Sequence, residues 1–157
     1  MRVHFENVNP AAQSGPNSFA RRLSKALYEM GHSIVESYQE SDITCVFIEC
    51  QSHIPDDHPK VQRLDGIWFK PDEFIEKNQG IKLDFERSHR IIWQSKFDRQ
   101  MTARHWGDRP GDIIHNGIEI QKRSVTHNSI TSLREKYDLL FVASANWHPQ
   151  KRLSKNI

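Results

Sequence analysis

The residues able to do chemistry in this sequence gather just after apolar, strand-like runs. The first set is Ser14, Gly15, Pro16, Asn17 and Ser18, directly ahead of a helical pattern. A glycine beside a helix N-terminus offers backbone N–H groups and the positive end of the helix dipole to a phosphate. The same residues also suit a tight turn and a helix cap, and both readings stand. The second set is titratable: Glu49 and His53, then Asp56, Asp57 and His58, then Arg63 with Asp65. Charged residues two apart on a short strand point the same way, so Arg63 and Asp65 are the pair best able to face one crevice, while the others are ordinary residues of solvated loops. Cys45, Cys50, His53 and His58 do not follow zinc-finger spacing and Cys45 falls inside an apolar run, so no metal is expected. Arg21, Arg22 and Lys25 read as the wet face of an amphipathic helix. The sequence holds no Ser-His-Asp order, no HExxH pair and no Walker-type loop.

The elements that must position these groups alternate. Val3, Phe5 and Val8 form a strand-like stretch, and Phe19 or Ala20, Leu23, Ala26 or Leu27 and Met30 recur at helical steps over about 17–30, with Asn17 or Ser18 as cap and Gly31 as stop. After Ser33 to Val35, the run from Ile43 to Ile48 is β-rich without alternation, as in a strand covered on both faces of a parallel sheet. Val61 to Leu64 and Arg90 to Trp93 are further strands; Ser95 with Asp98 three residues later opens a helix that runs to about Trp106 and ends at Gly107. Asp112 to His115 is one more strand, stopped by Asn116 and Gly117. Alternation of this kind predicts an α/β fold, a Rossmann-like mostly parallel sheet with flanking helices.

With 157 residues the chain has room for one ordinary domain, and 36% hydrophobic residues make its core thin for that length. A net charge of +2 does not call for nucleic acid or a membrane surface. The apolar runs are far shorter than a membrane span, and the start of the chain has no signal core. The cytoplasm, with both cysteines free, is therefore expected. Charge is uneven, because residues 121–157 carry seven basic against two acidic groups, which leaves the first 120 residues at −3. Residues 1–120 are read as one domain and 121–137, rich in Ser, Thr and Asn, as a linker. Residues 138–157 are read as the first strand, Leu139 to Ala145, and helix start of an incomplete second domain.

Five stretches in order carry a resemblance. Ser14 through Leu27 with Gly31 and His32 resembles the first loop and helix of family 4 glycosyltransferases of the GT-B architecture. Val61 to Gly66 resembles that family's central strand end, Gln94 to Phe97 its strand-to-helix step, and Ile114 to Ile118 the close of its N-terminal domain. Val142 to Leu153, with Trp147, Pro149, Lys151 and Arg152, resembles the opening of its C-terminal domain. Where many members place an arginine before the phosphate-binding lysine, this chain has Asn146 and Trp147.

The resemblance implies the N-terminal half of a GT-B fold and a truncated second domain, with the family's acidic donor-binding motif beyond Ile157. It implies retaining transfer from a nucleotide sugar to a carbohydrate or other hydroxyl acceptor, without metal or other cofactor. Ser14, Gly15, Asn17, Lys151 and Arg152 would then bind the donor phosphates, and Glu49, His53, Arg63 and Asp65 would line the acceptor side. Asp65 would orient the acceptor hydroxyl, and the leaving phosphate would take its proton. A chain of this extent is expected to be weakly active or inactive alone, completed by a missing C-terminal domain or a second chain. The alternative is a non-catalytic Rossmann-like module that binds a sugar, a nucleotide or a partner subunit. No nucleic-acid-reading module is recognisable.

Overall fold

A computed structural model describes residues 1–9, 11, 12, 14–117, 132, 133 and 135–138. The chain divides into two units, Met1–Gly117 and Ile118–Ile157. In the second, residues 132, 133, 135 and 136 are helical. The expected strand at Leu139 to Ala145, the helix start at Lys151 and most of the expected linker lie outside the described residues.

The first unit is a six-stranded sheet with every pairing parallel, β1 (Arg2–Glu6), β2 (Ser33–Val35), β3 (Ile43–Phe47), β4 (Lys60–Leu64), β5 (Arg90–Trp93) and β6 (Gly111–Ile113), in the order β2-β1-β3-β4-β5-β6. This is the expected Rossmann-like α/β arrangement. Helix α1 (Gly15–Glu29) joins β1 to β2, α2 (Phe74–Arg87) joins β4 to β5, and α3 (Lys96–Trp106) joins β5 to β6. The chain leaves β1 in one direction and β3 in the other, so right-handed crossovers put α1 on one face and α2 and α3 on the opposite face.

Local chemistry explains the helix ends. Ser14, not Asn17 or Ser18, is the N-cap of α1, its Oγ accepting the N–H of Asn17 at 3.4 Å. At the other end His32 N–H donates to Leu27 O and Gly31 N–H to Tyr28 O, the paired bonds of a Schellman stop. Gly31 holds φ +81° there, a backbone conformation costly for any residue with a Cβ. Ser95 caps α3 by accepting the N–H of Asp98 at 3.1 Å. Strand β6 starts at Gly111 and stops at Ile113, two residues short of the expected His115, where Ile114 N–H still reaches Trp93 O.

The apolar core lies under α2 and α3, where Leu64, Ile81, Phe85, Ile91 and Trp93 pack together with Ile48, Trp106 and Ile113 against them. On the α1 face Phe47 packs edge-on to Phe5 and Phe19, with ring centres 5.4 and 6.1 Å apart. Between β3 and β4 no helix forms; residues 48–59 cross the sheet as a loop.

Candidate functional site at the carboxyl edge of the sheet

Ligands of doubly wound sheets bind where the strand order reverses, beyond the carboxyl ends of the strands. Here the reversal lies between β1 and β3. Both strands end in left-handed backbone: Asn7 at φ 62° and Ile48 at φ 71°. Glu49 N–H donates to Phe47 O at 2.9 Å, so Ile48 is the centre of a tight three-residue γ-turn. A β-branched residue is strained there by about 1–3 kcal/mol, and such strain clusters at functional sites. Side chains clamp the turn: Asn7 Nδ2 donates to Phe47 O at 3.0 Å and Gln62 Nε2 to Ile48 O at 2.6 Å.

A polar network lies along the same edge at β4, β5 and β6. The Arg63 guanidinium, with a side chain only 3% exposed, pairs with the Asp65 carboxylate and donates to Asn116 Oδ1 at 2.9 Å. Its Cζ lies over the Phe19 ring of α1, 4.1 Å from the ring centre, and 5.7 Å from that of Phe47. Asn116 Nδ2 donates in turn to Gln94 Oε1 at 2.6 Å. Burial lowers the basicity of Arg63, partly offset by Asp65, and raises the Asp65 carboxyl above its ordinary value against the pull of Arg63 and Gln94. Beside them Asp98 is pushed up to about 6 by burial, with the N–H of Gln94 and the hydroxyl of Thr102 holding it back. Gly66, at φ +124°, gives the chain its turn past this carboxylate.

The sequence-predicted residues divide. Arg63 and Asp65 do face one site and bring in Phe19 of the first loop-helix motif. Ser14, Gly15 and Asn17 form the start of α1, where Asn17 Oδ1 accepts the N–H of Asn9 at 2.9 Å and so ties the loop to the helix. Pro16 takes one N–H donor out of that turn. Arg21, Arg22 and Lys25 are exposed, as expected of a wet face, though Arg21 also reaches back to Ala12 O and Ser18 Oγ. Glu49 is turned onto α2, its carboxylate where a Cβ of Gly80 would stand, and His53 is an exposed loop residue. Neither touches the Arg63 network. Lys151 and Arg152 lie outside the described residues.

His58 and Asp56 have structural partners. His58 Nε2 lies 3.0 Å from Thr44 Oγ1 and 3.2 Å from Ser41 Oγ, and Asp56 sits beside the buried Lys60. Both cysteines are free; burial pushes the Cys45 thiol up to about 12, and burial with Asp84 raises that of Cys50, so both are held as neutral thiols. Among the described residues no three His, Cys, Asp or Glu side chains are grouped to hold a metal ion, and no helix is long and apolar enough to cross a membrane.

Gln94, Asp98 and Asn116 belong to the site but read in the sequence only as a strand end, a helix cap and a turn. Their signal was position beyond a strand end of a parallel sheet: Gln94 directly follows β5, Asp98 lies in the first turn of α3, and Asn116 lies three residues past β6. Compared with protein-family models, curated proteins and solved structures, the chain matches none.

Proposed function

We propose that this chain supplies the acceptor side of a nucleotide-sugar-dependent glycosyltransferase of the GT-B architecture, similar to family 4, which retains anomeric configuration. The observation that carries the reading is the meeting of its motifs. Phe19, Arg63, Asp65, Gln94 and Asn116 come from four separate stretches of sequence and form one connected set at the carboxyl edge. Asp65 has a side chain 24% exposed, open enough to accept a hydrogen bond from an acceptor hydroxyl while Arg63 fixes its orientation. Its role is to orient; the proton leaves with the donor phosphate. The start of α1 would offer its dipole to the departing diphosphate, the electrostatic help such a leaving group requires, and the resemblance gives Lys151 and Arg152 the same task. The reaction needs no metal or other cofactor in this reading, and its place is the cytoplasm.

A second reading, a non-catalytic module for a sugar, nucleotide or partner subunit, is favoured by one observation: Arg63 is satisfied inside the protein by Asp65 and Asn116. The test joins binding to turnover. Purified chain is titrated with a panel of nucleotide sugars and simple glycosides while backbone amides are followed by NMR, and product is sought by mass spectrometry. Saturable shifts at Gly66, Gln94 and Asn116, with slow transfer that Asp65→Asn abolishes, support the enzyme. Binding there with no transfer supports the module, and shifts elsewhere or none remove both.

A further inference from the structure

Residues 49–59 occupy the place where a helix would cover β3 and β4, and they are attached in an unusual way. Three successive amides are held by carboxylates from other elements rather than by backbone. Cys50 N–H donates to Asp84 Oδ2 at 2.6 Å, and Gln51 and Ser52 N–H both donate to Glu6 Oε1, at 2.8 and 3.0 Å. The other oxygen of Glu6 lies 3.1 Å from His4 Nε2, and His4 Nδ1 lies 3.3 Å from Val35 O. Further along, the buried Lys60 reaches Ile54 O at 3.2 Å and Asp56 at 3.4 Å, Ile54 is buried, and His58 rests on Ser41 and Thr44. The segment thus contributes little to the sheet ladder, and its attachments can part without unzipping a strand. At its root is the strained γ-turn at Ile48, a point where a small backbone rotation swings everything that follows.

We propose that residues 49–59 form a strap that opens and closes as a unit about Ile48, with Glu6 as its latch. Glu6 ends β1 and Ile48 follows β3, so the strap closes over the point where the strand order reverses, and ligand entry there is coupled to its release. Acid loosens the latch. Burial pushes the Glu6 carboxyl up, but the donors from His4, Gln51 and Ser52 outweigh it and hold it below 4.5. Burial and Lys60 lower His58 below 6.5. Both shifts favour the closed strap at neutral pH; the His58 contribution is lost as pH falls below 6.5 and that of Glu6 only as it falls below 4.5. The charged groups facing these two are His4 and Lys60 from the sheet, Asp84 from α2, Asp57 and Cys50 from the strap itself, and His89.

Native-state hydrogen exchange on the whole chain, read residue by residue, tests the idea. Amides of residues 50–59 are expected to exchange through a shared local opening at least tenfold faster than those of β4 and β5. Glu6→Gln should accelerate them a further tenfold or more and leave β4 and β5 unchanged. Lowering the pH from 7 to 5, after correction for intrinsic exchange, should accelerate them in wild type and variant alike through His58, and lowering it further from 5 to 3 should accelerate them in the wild type and less in the variant. Should Glu6→Gln fail to fold, Asp84→Asn removes the neighbouring anchor and should likewise accelerate exchange of residues 50–59 while leaving β4 and β5 unchanged. Strap amides that exchange only together with the sheet in the wild type, or a variant that accelerates strap and sheet alike, would overturn the proposal.

Discussion

At the scale of single residues, the carboxyl edge stores charge at a cost. Asp98 is 6% exposed and its carboxyl is held near 6 against an ordinary 3.8, so the folded state prefers it protonated. Its stabilising contribution is present in full below pH 3.8 and lost as pH rises through 6, a gap worth about 3 kcal/mol. Asp98→Asn removes that slope: between pH 3.5 and 7.5 the stability of the variant relative to wild type should move by about 2–3 kcal/mol in its favour, read from urea unfolding at each pH. Arg63 poses the opposite problem, a buried cation that needs its partner. Asp65→Ala should cost about 2–4 kcal/mol by leaving the guanidinium with Asn116 and two aromatic faces, while Asp65→Asn, which keeps an oxygen acceptor, should cost roughly half as much. If Asp65→Asn instead unfolds like the wild type, the charge of Asp65 contributes nothing to holding Arg63.

At the scale of elements, two glycines make a matched test of how closely helices and strands approach. A Cβ on Gly111 would run into the Ile91 carbonyl and the Trp93 ring, fixed parts of the neighbouring strand, so Gly111→Ala should cost about 2–3 kcal/mol and release β6. A Cβ on Gly80 would meet only the free end of the Glu49 side chain, which can swing away, so Gly80→Ala should be neutral or stabilise by up to about 1 kcal/mol through helix propensity. Thermal unfolding of both variants decides. The same contrast shows which elements the sequence made legible. Runs such as Ile43 to Phe47 announce themselves because burial on both faces requires apolar residues throughout, and α1 and α3 carry hydroxyl caps and glycine stops. Helix α2 was not foreseen. Its inward stripe of Phe74, Ile81 and Phe85 is interrupted by Asn78 and Asp84, buried polar residues that serve the Trp68 backbone and Cys50 N–H instead of the core. The site was legible at Arg63 and Asp65, whose spacing puts them on one face. It was not legible at Asn116, whose bond to Arg63 spans 53 positions, or at Glu6, whose partners arrive 45 and 46 residues later.

At the scale of the whole molecule, residues 1–117 hold the six strands and three α-helices found among the described residues, together with the carboxyl-edge network. Truncation after Gly117 should therefore leave the melting temperature within a few degrees of the full chain, and truncation near Ser132 likewise, with light scattering to follow solubility. A fall of many degrees would make the remainder an integral part of one domain. The strand order has a consequence for how the protein is made. Each new strand joins the outside of the sheet formed so far: β2 and β3 flank β1, then β4, β5 and β6 follow in turn. None has to insert between two partners already paired. A chain leaving the ribosome N-terminus first can therefore dock every strand on a finished neighbour as it emerges, and the sheet grows in the direction of synthesis.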